Sequence, residues 1–329
     1  METTKSRPLF RRIENFFSYS ILIILALLPV MEVIVRKIFR TGIPGSNEYI
    51  IHLVLWVTFL GGMITSREKR HLALSVGIDA VPERFRGRIE QFNAFIGTTL
   101  TTAFAWSSLS FVILGFDSSM QVGFIPIQII AAIMPIGYAV LAGRFIKGVP
   151  KKGGGKTIAG IGIIVGTFFA IGPIVNSLYM FIFNMPMFVD TLQFFYFDVM
   201  RIIGIPVIIL LIFSTFSGTP LFVVLGGIAF MLFARLNAPL EIIANEGYTM
   251  LTGKTLPAIP LFTLTGFFLS ESNAGKRFVQ LFQSFFGWIP GGLAIMAVLV
   301  STFFTTFTGA SGVTILALGA LLFYVLVKS

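Results

Sequence analysis

The sequence runs to 329 residues, of which 56% are hydrophobic and 12% charged, with a formal net charge of +10 and no cysteine. That composition excludes an ordinary soluble globular chain and points to a polytopic membrane protein. The missing cysteine excludes disulfide, iron–sulfur and cysteine-zinc chemistry. The basic residues sit in loops between apolar stretches, so membrane topology accounts for the charge and a nucleic-acid partner is not implied.

In chain order, the first candidate span covers residues 16–35. It is too long for a cleaved leader and is followed by Arg36 and Lys37 rather than by small residues. Further spans are expected at 48–66, 92–114 and 124–143. Between the second and third, residues 72–88 are too polar to cross. Leu74, Ile78, Val81 and Phe85 recur there at spacings of three and four beside Arg84, Arg86 and Arg88. That pattern reads as an interfacial helix on the cytoplasmic face, or as a solvated basic loop.

Basic residues set the orientation. One cluster is Lys5, Arg7, Arg11 and Arg12; a second is Arg67, Lys69, Arg70, Arg84, Arg86 and Arg88; a third is Arg144, Lys147, Lys151, Lys152 and Lys156. An alternating path puts all three on one side, which the positive-inside rule makes cytoplasmic, with the N-terminus inside. Residues 117–122 and 184–200 then lie outside and carry Asp117, Asp190 and Asp198 without Lys or Arg. Arg36, Lys37 and Arg40 fall on the outer side, and Glu32, one turn before Arg36, offsets part of that charge.

Residues 148–200 read as a linker containing one crossing helix at 158–183. Its start, 150–157, ends in Gly155-Lys156-Thr157 and nearly matches a phosphate-binding loop, but Pro150 replaces the leading glycine and no strand precedes it. A flexible cytoplasmic joint is the better reading. The chain thus divides into a four-span part, 1–147, and a second part, 201–329. The second part opens with spans at 202–217 and 219–235, joined by a tight turn at Gly218-Thr219-Pro220, followed by a span at 256–272. Lys276 and Arg277 precede Phe278, Leu281, Phe282, Phe285 and Phe286, the spacing of an amphipathic surface helix. Residues 287–292 turn the chain back into the membrane, with Trp288 as an interface anchor.

Residues 291–327 form a tract without charge or proline. As one helix it would run roughly 55 Å, well past a hydrocarbon core of about 30 Å, yet two full spans need about 40 residues plus a turn. It reads best as two short helices, 291–307 and 312–327, folded back at Thr305-Thr306-Phe307-Thr308-Gly309-Ala310-Ser311-Gly312-Val313-Thr314. Non-helical backbone at that depth is tolerated only where protein buries it or a watery cavity receives it, and such breaks form ion sites. The competing reading is one kinked helix packed through small residues.

Enzyme constellations are missing. His52 and His71 are the two histidines, neither in a zinc-protease motif, and no nucleophile elbow occurs. His71 ends a basic run and reads as an interfacial residue. Glu32, His52 and Glu271 sit near span ends, so no span interior holds an acid–base pair for a proton relay. A sodium ion needs only carbonyl and hydroxyl oxygens, which the tip at 305–314 supplies.

These residues resemble a known family. Trp56 with Phe59-Leu60-Gly61-Gly62, then Arg67-Glu68-Lys69-Arg70-His71 and Val81-Pro82, are similar to the small (DctQ-like) membrane subunit of tripartite ATP-independent periplasmic (TRAP) transporters. Gly218-Thr219-Pro220, Ile259-Pro260-Leu261-Phe262, the entry Trp288-Ile289-Pro290-Gly291-Gly292 and the run Thr308–Thr314 are similar to the large (DctM-like) subunit. The resemblance implies an all-α polytopic membrane protein of about eight transmembrane helices plus a C-terminal re-entrant hairpin, in the inner membrane. It implies import of organic anions such as dicarboxylates or sugar acids, delivered by a periplasmic substrate-binding protein and usually driven by sodium. It makes the tip the first re-entrant hairpin, with Thr308, Gly309, Ser311, Gly312 and Thr314 as sodium ligands. No covalent cofactor, enzyme activity or nucleic-acid partner is expected, and membrane lipid surrounds the chain. The family's large subunit has two inverted halves, and the sequence stops at Lys328-Ser329 after the first hairpin. The expectation is that a separate chain supplies the second half; the alternative is a truncated, non-transporting scaffold or relic.

Overall fold

The structure, a computed structural model, describes residues 9–73, 82–149, 154–182 and 185–308. Among the described residues it is all-α apart from a two-stranded turn and an isolated bridge between Ala73 and Pro220, and the chain is a polytopic membrane protein. Among the described residues, five helices are long and apolar enough to cross a bilayer, six if one bent pair counts as a single span. Two compact units are present: Met1–Ile24 with Met31–Thr252, and Leu25–Val30 with Gly253–Ser329.

The first unit contains most of α1 (Leu9–Phe39), α2 (Ser46–Arg67) and α3 (Glu83–Leu114). A small antiparallel pair follows, β1 (Gln121–Val122) with β2 (Ile125–Pro126), and then α4 (Ile127–Ala131) and α5 (Ile133–Gly148), which together make one span. Apolar side chains along α1, among them Phe16, Ile23, Leu27 and Ile34, are exposed, as expected of a helix facing lipid. α3 is the opposite. Its buried positions run through Ala94, Thr98, Thr99, Thr101, Thr102, Ala103, Ser107, Ser108 and Ser110, so it is the central helix on which its neighbours pack. Small and hydroxylated side chains suit that place, because membrane helices associate by close backbone approach rather than by the hydrophobic effect.

α6 (Gly155–Phe169) uses the same device against α3. Gly162 and Gly166 are four apart, on one face of the helix. A Cβ on Gly162 would fall 2.9 Å from the Phe95 carbonyl, and one on Gly166 would collide with the Thr99 carbonyl. α7 (Ile171–Phe181) continues from α6 after a 59° bend at Ala170. The expected single crossing helix at 158–183 is therefore broken. Pro173 has no N–H, so the carbonyl four residues back, that of Phe169, loses its helical donor. Tyr196 supplies the replacement: its buried Oη donates to Phe169 O at 2.7 Å.

Tyr196 belongs to α8 (Met187–Phe216), 30 residues with Pro206 inside. Residues 187–200, expected as part of an outer connection, form the first half of this helix. Asp190, Asp198 and Arg201 make the segment look too polar for a span, but Asp198 and Arg201, three apart, are both exposed and share one face. α9 (Leu221–Arg235) returns after the expected turn, in which Gly218 has φ +85°, a conformation natural to glycine. α10 (Glu241–Leu251) was not foreseen; it packs on α3 and α2. One buried cluster joins Leu100 and Phe104 of α3, Phe169, Tyr196 and Met200, and Val223, Phe230 and Met231 of α9. A second joins Leu55, Phe59 and Met63 of α2 to Met134 of α5 and Ala244 of α10.

In the second unit α11 (Ala258–Glu271), α12 (Ala274–Phe286) and α13 (Gly292–Thr308) pack against one another. α12 is the amphipathic segment expected from the sequence. Leu281 and Phe285 are exposed, Phe282 and Phe286 stack with ring centroids 6.2 Å apart, and Trp288 just beyond is exposed. α9 and α11 have 15 and 14 residues, short of the roughly 20 a full crossing needs, which is why fewer full spans are found than the eight expected. Of the expected interfacial helix at 72–88, residues 83–88 are the start of α3; Leu74, Ile78 and Val81 lie outside the described residues.

Candidate functional site

The site expected at the apolar tip is entered by α13. At 17 residues it is about 25 Å long, less than a membrane core. Within it Thr302 Oγ1 donates to Val298 O at 2.8 Å and Thr306 Oγ1 to Thr302 O at 2.9 Å. Such back-bonding loosens and bends helices. Thr308 is the last residue of α13; Gly309, Ser311, Gly312 and Thr314 lie outside the described residues, as does the returning limb.

A second polar locus, absent from the sequence reading, lies in the first unit. Ser110 Oγ of α3 donates to Glu241 Oε1 at 2.7 Å, and Asn176 Nδ2 of α7 donates to the same oxygen at 2.9 Å. Glu241 is the first residue of α10, where the helix N-terminus favours a carboxylate. Its other oxygen, Oε2, is buried and accepts no hydrogen bond among the described residues. Ser107, three residues before Ser110, donates to Leu240 O at 2.7 Å. Beside this cluster is a cavity of about 190 Å³ lined by Pro173, Asn176, Gln193, Tyr196, Asn237 and Leu240, among others. Asn176 belongs to both. The available signals were the sequence Asn237-Ala238-Pro239-Leu240-Glu241, a helix-start pattern, and a carboxylate between two apolar helices.

Polar contacts also fasten α8–α10 to α2 and α3. Asn93 of α3 grips the turn after α8: its Nδ2 donates to Ser217 O at 2.6 Å, and Ser217 Oγ and Thr219 Oγ1 donate to its Oδ1 at 2.9 and 3.0 Å. Leu221 N donates to Leu72 O at 2.9 Å. In α2, His52 Nδ1 is 2.6 Å from Glu48 O, which can only accept, so Nδ1 carries the proton and Nε2 accepts from Tyr248 Oη at 2.7 Å.

Near the N-terminus of α1, Glu14 has a side chain only 2% exposed and receives Arg67 at 2.7 Å and Arg144 at 2.6 Å. Lys69 Nζ donates to Gly148 O. The start of α1 and the ends of α2 and α5 therefore meet. Next to them His71 stacks on Phe145. Burial, helped by the Arg144 charge, lowers its pKa below the ordinary histidine value. In α1, Glu32 pairs with Arg36 at 2.7 Å as the spacing predicts, and its second oxygen accepts from Ile43 N.

Two families match this chain. Residues 25–149 match the DctQ component of tripartite ATP-independent periplasmic transporters, and residues 194–329 match the DctM component. The chain belongs to the TRAP transporter membrane components, with DctQ and DctM fused. The family is one of transporter permeases and not of enzymes. The DctM match begins within α8, so the helix that caps the Phe169 carbonyl lies at the start of DctM. The isethionate TRAP transporter permease protein DctMQ of Oleidesulfovibrio alaskensis is 21% identical over 84% of this chain and 41% of its own length. The C4-dicarboxylate TRAP transporter large permease protein DctM of Vibrio cholerae is 33% identical over 37% of this chain and 27% of its own. A putative TRAP transporter small permease protein of Haemophilus influenzae is 30% identical over 19% of this chain and 39% of its own. The chain thus spans less than half the length of these curated relatives.

Proposed function

We propose that this chain is the inner-membrane component of an ion-gradient-driven importer of small organic anions, working with a periplasmic substrate-binding protein and with sodium as the coupling ion. The observation that carries the reading is the presence of both TRAP membrane components on one polypeptide. The relatives named above are described for isethionate and C4-dicarboxylates, a sulfonate and carboxylates of similar size, so the cargo class is a small organic anion. Thr308, Gly309, Ser311, Gly312 and Thr314 would offer sodium hydroxyl and carbonyl oxygens, the donors hard cations accept. The contacts among Glu14, Arg67 and Arg144 support an orientation in which the first three basic clusters share the cytoplasmic side.

The test is uptake of labelled dicarboxylate or isethionate into proteoliposomes. These hold this chain with a second chain carrying the remaining length of a DctM component, and the binding protein outside. Uptake driven by an inward sodium gradient is expected. Uptake that ignores sodium refutes the coupling assignment, and no uptake of any small organic anion refutes the cargo class.

A further inference from the structure

We propose that Glu241, Ser110 and Asn176 form a binding site for a small monovalent metal cation, separate from the tip at 308–314 and fed by the adjoining cavity. Glu241, partly exposed at the start of α10, meets Ser110 of α3 and Asn176 of α7, and no basic side chain pairs with it among the described residues. Ionisable groups in such places are retained where they bind or relay something. Both hydrogen bonds to the carboxylate converge on Oε1, while Oε2 is buried without a donor. A buried polar oxygen left without a protein partner is costly, and Oε2 accepts from no protein donor among the described residues while Oε1 accepts from two.

The chemistry of the surroundings selects the ligand. The Ser110 hydroxyl and Asn176 touch the carboxylate, and the adjoining cavity adds the hydroxyl and amide groups of Gln193, Tyr196 and Asn237. Hard cations take such donors and retain water where the protein leaves room, and about 190 Å³ holds several waters. One carboxylate carries one charge, so a monovalent ion neutralises the site, whereas a divalent ion would leave it with a net positive charge. Access is short: Ser110 is four residues, about 6 Å, from the end of α3.

The three side chains come from three segments. Ser110 lies in the DctQ match, Asn176 between the two matches and Glu241 in the DctM match. An ion bound there would tie the fused parts together.

The experiment is hydrogen–deuterium exchange of the purified full chain, in sodium chloride against choline chloride at constant ionic strength. With sodium at about ten times its dissociation constant, openings that release the ion become about tenfold rarer. Exchange should therefore slow about tenfold in peptides covering 171–182 and 236–251. Glu241→Gln keeps an acceptor for Ser110 and Asn176 while removing the charge, and should abolish the slowing. Ser110→Ala should move the sodium titration midpoint upward. Peptides covering 292–308 report the tip independently, and their response should survive Glu241→Gln. The proposal is overturned if wild-type peptides 236–251 ignore sodium, if Glu241→Gln leaves their response intact, or if only acidification produces it.

Discussion

Replacing Tyr196 by Phe removes one oxygen and leaves the ring, so packing within the buried cluster of α3, α8 and α9 is conserved. What changes is the Phe169 carbonyl, which has no helical donor because Pro173 sits four residues on, and which Tyr196 satisfies at 2.7 Å. A buried acceptor deprived of its partner costs about 1–3 kcal/mol. The penalty should depend on Pro173. In a Pro173→Ala background an amide becomes available at position 173, and Tyr196→Phe should then cost about 1 kcal/mol less, a coupling typical of residues sharing one partner. The assay is a double-mutant cycle on reversible unfolding in bicelles, with apparent melting temperature as a secondary readout. Additive penalties would refute the assignment of Tyr196 as the substitute donor, and so would a stability cost near zero for Tyr196→Phe alone.

Three further outcomes are expected. Gly166→Ala should destabilise by about 1–3 kcal/mol through overpacking, because its methyl meets the Thr99 carbonyl and Thr102, whereas Gly160→Ala, with nothing within 4 Å, should be close to neutral; melting in detergent separates them. His71 is held neutral in the folded chain below its ordinary pKa, so the unfolded chain takes up the proton first on acidification. Stability should fall as pH drops below about 6.5 and this slope should flatten in His71→Gln, as measured by melting across pH. Ser311→Ala should raise the sodium concentration needed for half-maximal uptake with little effect at saturating sodium; an unchanged sodium dependence would remove Ser311 from the proposed ion site.

The hydrophobic pattern revealed the elements that stand between clear boundaries. The spans corresponding to α1, α2, α3 and α4–α5, the turn at Gly218 and the amphipathic α12 were legible because apolar runs ended at glycine, proline or clustered charge. The pattern misled where polarity and helix boundaries part company. Asp190 and Asp198 suggested a connection, yet a helix can carry exposed acids along one face, and α8 does. Pro173 was visible, but its effect was not, since prolines in membrane helices are tolerated when another donor is near and Tyr196 is distant in sequence. Glu241 stands out in no hydrophobic pattern because it falls between two apolar runs. Its significance depends on Ser110 and Asn176, 131 and 65 residues away, and on a single oxygen left without a donor. No periodicity encodes such a fact.

The glycine face of α6 has a consequence for how the fused chain endures damage. Because Gly162 and Gly166 let that helix lie backbone to backbone on α3, the connection between the two parts is held by interlocking surfaces as well as by peptide bonds. A protease nick between Val149 and Gly154 should leave both fragments migrating together in mild detergent. Covalent continuity at that point would then serve mainly to guarantee equal supply and correct pairing of the two parts during synthesis.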